Sequence, residues 1–395
     1  MQASSSLRAY ARWSIAATTF RLPIALLPVA IEYAIGTTDG FRLASAIIGM
    51  LSLGEIGVLL LTGHRAGRRL LLRRGHLLFW AIAVADALLA AASLVPGMLA
   101  LAIVAALAIG LLVALGAGSL RRELTAVLPR EAIERYFSWD AVVLEVIWLA
   151  SPAIVALQVS LSLTPYLLIL PALCALATPL AMRRPPVIYR AEAKPIQGGK
   201  WLLAASAAEG VIEAGFVVAI VPIASGVLHL AVFGSIALAL LSVGSVVGGA
   251  IYAPLSRHLR IPPRPRILIM LSGLAAGLAV LAAAGTTTIT LAVISLALGI
   301  LVAPTNAARA YATSTTFQQE DHSSAFARLY ASYSVGAVFS SAAFAALSPL
   351  LGARATTGLD AGVAGVVILV IAVLPRIRQD RPGGKLWASL ARSWI

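Results

Sequence analysis

The sequence predicts an all-α integral membrane protein: twelve transmembrane helices in two parallel, pseudo-symmetric six-helix bundles. Three observations predict it. Of the 395 residues, 60% are hydrophobic and 12% charged, with a mean hydropathy of +0.94, whereas an ordinary soluble domain is about a quarter charged. So few polar groups could not cover the apolar surface of a water-soluble fold. Turns and charges also cut the chain into twelve apolar runs, most near the roughly 20 residues that a hydrocarbon core of about 30 Å requires. Finally, the cations fall on alternate connections between those runs.

The runs lie at about 15–36, 41–62, 77–95, 98–118, 138–158, 163–182, 201–224, 229–252, 265–285, 288–310, 326–350 and 359–375. The first holds Arg21, Pro23 and Pro28 and lacks a clear small-residue cleavage site, so it reads as a retained helix and not a cleaved leader. One set of connections collects Arg65, Arg68, Arg69, Arg73 and Arg74, then Arg121 to Arg135, Arg183 to Lys200, Arg257 to Arg266, and the C-terminal tail. The other holds Arg42 and Arg354. That asymmetry puts both termini on the cytoplasmic side. The net charge of +14 is therefore a topology signal and not a nucleic-acid footprint, which would gather on one element. "HRAGRRLLLRR" reads as a cytoplasmic turn between the second and third helices. Cys174, the single cysteine, sits in the apolar "PALCALATPL" and reads as a buried small hydrophobe.

Internal similarity sets the domain organisation. "LAIGLLVA" from Leu107 recurs as "LALGILVA" from Leu296, and "LSLGEI" from Leu51 recurs as "LSVGSV" from Leu241. The two offsets nearly agree, which indicates a duplicated six-helix unit. An even helix count gives both copies the same orientation, related by an axis along the membrane normal. The expected units are 1–182, a cytoplasmic linker at 183–200, and 201–395. The linker stands out as a long connection with Pro, Gly and mixed charge.

These features, with the Arg/Gly turn after the second helix, resemble the major facilitator superfamily. Its signature there is G-x-x-x-D-R-x-G-R-R; this chain keeps Arg65, Gly67, Arg68 and Arg69 but has His64 for the aspartate and Leu60 for the first glycine. A degenerate copy keeps Gly248, Gly249 and Arg257. "LASPAIVAL" is similar to the glycine-proline motif of drug/proton antiporters, with Ser151-Pro152 for Gly-Pro, and Leu112 stands where the family's intramembrane arginine would be. The chain also resembles actinobacterial multi-helix exporters. The resemblance implies alternating access, with the turn residues His64, Arg65, Gly67, Arg68, Arg69 and Arg257 as gate candidates. The same arginines suffice as orientation signals alone, and Glu123, Glu131 or Asp140 could replace the missing carboxylate.

Ionisable groups inside a bilayer are costly, so each raises a functional hypothesis. Arg21 and Glu32 lie eleven residues apart on nearly one face of the first helix, with a rise of about 16 Å, too far to pair. Each needs another partner or water; Glu32 is either a proton or cation site or solvated at the outer end. Asp140 is expected near solvent at the cytoplasmic end, with Glu145 deeper and better placed. Glu209 and Glu213, in "AEGVIEAG", share a face one turn apart. Pro304, Asn306 and Arg309 disturb the tenth helix, where Arg309 either neutralises an acid across the halves or lies at the cytoplasmic end. Asp86 completes the candidates, and Glu55 is expected to be dispensable. Trp148, Tyr166, Phe216, Tyr330 and Tyr333 read mainly as lipid belt or core.

The pattern favours a secondary transporter, proton-coupled and exporting a small amphipathic or cationic molecule. Sugar or metabolite uptake and lipid translocation are the alternatives. An enzyme would need clustered catalytic groups, but His64, His76, His229, His258 and His322 are scattered singly, and no P-loop is present. No cofactor or metal is expected, nor a nucleic-acid partner. The expected partners are a small-molecule substrate, protons and the lipid bilayer. The chain is expected to work as a monomer in a bacterial cytoplasmic membrane.

Overall fold

The computed structural model describes residues 2–35, 41–63, 65–95, 97–127, 130–163, 166–181, 199–228, 231–284, 287–318 and 321–379. They form twelve α-helices: α1 (Gln2–Ala34), α2 (Phe41–Gly63), α3 (Arg65–Leu94), α4 (Leu99–Val127), α5 (Arg130–Ser160), α6 (Ile169–Ala181), α7 (Lys200–Leu228), α8 (Ala231–Leu255), α9 (Pro263–Ala284), α10 (Thr288–Thr316), α11 (His322–Leu351) and α12 (Ala353–Gln379). Ten contain spans long and apolar enough to cross a membrane, and α2 and α6 contribute shorter apolar segments, Ile47–Leu59 and Ile169–Ala181. The inter-unit linker, except for its last residues, lies outside the described residues, as does His64.

One expectation is corrected. The Arg/Leu-rich segment after α2 is not a turn: Arg65 already belongs to α3. Arginine and leucine are strong helix formers and no proline interrupts them, so leaving the apolar layer does not end the helix. α4, α5 and α11 likewise extend past their apolar runs at the same end. These extensions carry much of the interfacial chemistry described below. Other ends are set locally. Thr287 accepts from the Thr290 amide at 3.1 Å and caps α10, while Gly352, at φ 82°, closes α11.

Packing repeats between the halves. α2 crosses α4, α1 packs on α5 and α6, and α3 packs on α4 and α6; α8 crosses α10, α7 packs on α11 and α12, and α9 packs on α10 and α12. The repeated motifs are the crossings themselves. A Cβ on Gly54 would strike the Leu107 carbonyl and the Leu111 nitrogen, and one on Gly110 the Leu51 carbonyl. In the second half, a Cβ on Gly244 would strike the Leu296 carbonyl and one on Gly299 the Leu241 carbonyl. Without a hydrophobic drive between helices in lipid, such close approach is what van der Waals packing requires. Gly299→Ala should therefore cost about 1–3 kcal/mol by overpacking against backbone. Gly362→Ala, which meets open space, should be close to neutral; thermal unfolding in detergent compares them.

The halves meet through α5 with α8 and α10, and through α11 with α2 and α4. Among the described residues, the bonds across this interface gather at one end, where α4 finishes and α5 and α11 begin. That end also carries the start of α7, next to the linker.

Candidate substrate cleft

At the linker end, Glu134 near the start of α5 accepts two hydrogen bonds from the second half. Its Oε1 accepts from the Tyr252 hydroxyl of α8 at 2.7 Å and from the Arg266 guanidinium of α9. Arg266 also donates to Tyr252 at 2.8 Å and to the Ile261 carbonyl at 2.7 Å. One helical layer further in, Glu55 of α2 accepts from Ser334 at 2.6 Å and Tyr330 at 3.2 Å, both on α11. Thr125 of α4 bonds the His322 ring of α11 at 2.8 Å, and Phe137 packs against Phe326. Every one of these contacts must part if the halves separate here.

Deeper lie two ion pairs, each within one half. Arg21 grips Asp140 through both guanidinium nitrogens, Nη2 to Oδ2 at 2.7 Å, and its face lies over the Trp13 ring. Asp140 is 4% exposed, which corrects the expectation of a solvated carboxylate. Among the described residues, its partner is the α1 arginine. Arg309 of α10 pairs with Glu209 of α7 and is oriented by Asn306 at 2.6 Å and Ser206 at 2.9 Å. It therefore neutralises an acid of its own half and not one across the interface.

The next layer outward holds acids without cation partners. Glu213, one turn past Glu209, accepts from the Tyr333 hydroxyl at 2.7 Å through Oε2, while Oε1 meets no hydrogen-bond donor. Glu145, five residues past Asp140 on α5, lies beside Ser245 of α8 and within electrostatic reach of Glu213. Ser245 already accepts from the Ala303 amide at 3.1 Å, so its hydrogen points elsewhere and can reach Glu145. Glu145 belongs to the first half and Glu213 to the second, and both side chains are only partly buried.

Arg121 of α4 is the unusual cation. Its guanidinium sits 5.6 Å from the Phe326 ring centroid and senses the charges of Arg21, Asp140, Arg309 and Glu209. Yet none of the described ion pairs includes it.

Other candidates fall elsewhere. Asp86 is 2% exposed with both oxygens unpartnered, but it faces Cys174 of α6, away from the interface. Glu32 lies in the last turn of α1, and Arg65, Gly67, Arg68 and Arg69 in the first turns of α3; their side chains, and that of Arg257, fall outside what is described. Trp148 and Tyr166 are exposed at 43% and 52%, as a lipid belt requires, and Phe216 is core. Tyr330 instead reaches across the interface to Glu55 at 3.2 Å, and Tyr333 donates to Glu213 at 2.7 Å. Glu134, Arg266, Tyr252, Ser334 and Arg121 were missed as functional candidates. The signal was faint, because basic residues near helix ends read equally as orientation signals. Asp360 was missed too, since it fell at the edge of its run. It is buried, bonds Ser340 at 2.7 Å and packs by Gly215.

Two six-helix units packed by the same pairings, with buried acids and arginines where they face each other, define a polytopic membrane transporter. Residues 202–395 match the sequence profile described as Major Facilitator Superfamily. Solved structures match over nearly the whole chain. The human organic anion transporter MFSD10 (TETRAN) superposes with a TM-score of 0.68 at 13% identity, covering 94% of this chain and 99% of that one. FucP in its outward conformation gives 0.67 at 13% identity, covering 93% and 99%. The proton:xylose symporter XylE gives 0.69 at 12% identity, covering 94% and 96%. No curated protein matches in sequence. The second half of the chain thus matches the Major Facilitator Superfamily in sequence, and the whole chain shares the fold of these solved transporters.

Proposed function

We propose that the chain is a proton-coupled exporter of a small amphipathic or cationic molecule whose cationic group enters the cleft, working by alternating access from a bacterial cytoplasmic membrane with both termini in the cytoplasm. The orientation rests on the arginine asymmetry. With the linker end cytoplasmic, the cross-interface bonds of Glu134, Glu55 and Thr125 close the cleft to the cytoplasm, and the Glu145–Glu213 layer lies on its outer side.

The observation that carries the reading is that Glu145 and Glu213, one from each half, lie within electrostatic reach of each other and have hydroxyl partners, Ser245 and Tyr333, and no described cation in contact. Two carboxyls this close in a low dielectric titrate as a pair. Each holds either a proton or a cation, not both, so protons entering from outside displace a bound cation. That competition at one site is the logic of antiport, and an inward proton gradient then drives cargo outward. Glu209 and Asp140 are already neutralised by Arg309 and Arg21, so they hold the site's geometry and leave the exchange to the outer pair.

Reconstitution into proteoliposomes with ethidium as a fluorescent amphipathic cation tests this. Gradient-driven ethidium movement should fall at least tenfold in Glu145→Gln and in Glu213→Gln. Ethidium exchange without a gradient should fall less. Movement insensitive to pH in the wild type would end the proton-coupled reading.

A further inference from the structure

We infer that the cargo of this cleft is a zwitterion: its cationic group sits between Glu145 and Glu213, and an anionic group on the same molecule meets Arg121. The inference rests on the cleft reading above and narrows it to a substrate class.

The argument starts from charge. Arg21, Arg121 and Arg309 are the arginines described in the inner layer. Asp140 and Glu209 take the first and third. Arg121 keeps its charge with no carboxylate in contact; its neighbour is the Phe326 ring. An aromatic face offsets part of the cost of a desolvated guanidinium. It does not supply the planar pair of acceptors that a guanidinium's donors are built to meet. Arg121 is also only partly buried, so space adjoins it from which an acceptor can approach.

Depth then fixes spacing. α5 and α7 both run outward from the linker end. Glu145 lies five residues beyond Asp140, and Glu213 four beyond Glu209. These are rises of about 7.5 Å and about 6 Å. The carbonyl of Leu120, next to Arg121, accepts from Trp13 at 2.8 Å, and the Trp13 ring lies under Arg21, which places Arg121 with the inner layer. Among the described residues, the cleft therefore offers one cation without a carboxylate partner at its floor and two acids without a cation partner roughly one helical turn above. A monovalent cation would leave Arg121 unanswered, and a simple anion would leave both acids unanswered. A molecule with an anionic group and an ammonium at that interval answers both. The anionic group is a carboxylate, sulfonate or phosphate, all of which suit bidentate donation.

The test uses 5-aminopentanoate, whose extended chain spans that interval, against pentylamine and pentanoate, which carry one of its charges each. Thermal-shift titration of the detergent-purified full chain reads apparent affinity. 5-Aminopentanoate should bind at least tenfold tighter than either control. That advantage should vanish in Arg121→Gln and return in part in Arg121→Lys, which shows that the Gln variant loses charge and not fold. If pentylamine binds as tightly as 5-aminopentanoate, equally in wild type and Arg121→Gln, the zwitterion assignment is overturned. Were pentylamine binding then lost in Glu213→Gln, the cationic cleft would stand without it. Absence of binding by all three probes would overturn both.

Discussion

Asp140→Asn is expected to lower the stability of the detergent-solubilised protein by roughly 3–5 kcal/mol, the range for breaking one side of a buried ion pair. The cause is not the lost attraction alone. Arg21 is 7% exposed, and Asp140 supplies acceptors to both of its terminal nitrogens. Removing the carboxylate's charge leaves a desolvated guanidinium with the Trp13 face as its remaining described neighbour. Replacing both partners with apolar residues of similar size should recover most of the loss, because the pair's desolvation cost goes with it. The double variant Arg21→Met/Asp140→Leu should thus unfold near the wild-type temperature while Asp140→Asn does not. Transport separates the roles: the folded double variant should remain impaired if Arg21 and Asp140 shape the cleft floor beneath Arg121. Additive losses in the double variant would show that the two groups are not coupled.

The second large effect concerns the closed end. Glu134→Gln removes the charge that holds α5 to α8 and α9 through Tyr252 and Arg266. Hydrogen bonds to charged groups contribute about 1.5–3 kcal/mol, and every 1.4 kcal/mol or so is tenfold in a population. The equilibrium between linker-end-closed and linker-end-open forms should therefore shift roughly tenfold or more toward open. The fold should persist, since the bond joins two units whose internal packing is independent of it. A cysteine placed at Thr125, in a background with Cys174→Ser, should label faster from the linker end in Glu134→Gln than in its absence. Unchanged labelling would mean that the bonds of Glu55 to Tyr330 and Ser334 hold the gate without this pair.

Much of the fold was legible because its causes are local. Run length and arginine placement report the bilayer directly, and the repeats at Leu51/Leu241 and Leu107/Leu296 marked the glycine crossings that give each half its shape. The site was legible only in its ingredients. Glu209 and Glu213 were visible as a one-turn pair, but which of them had a cation depended on Arg309, a hundred residues away. Asp140 looked solvated because helix-end position stands in poorly for depth once helices extend beyond the apolar layer. Glu55 looked idle because its partners, Tyr330 and Ser334, come from the other half. Arg266 and Arg121 looked topogenic because a cation near a helix end has the same sequence signature whether it orients the chain or bonds across an interface.

The central claim is that the two halves rock about the Glu145–Glu213 layer, closing one end as the other opens. Spin-label distances measure it directly, in a Cys174→Ser background. One pair of labels, at Arg135 and Arg260, spans the linker end; another, at Leu161 and Ile236, spans the outer end. All four positions are exposed. Lowering the pH or adding cargo should change the two distances in opposite directions, one lengthening as the other shortens. Two distances that move together, or that stay fixed while transport proceeds, would contradict the account.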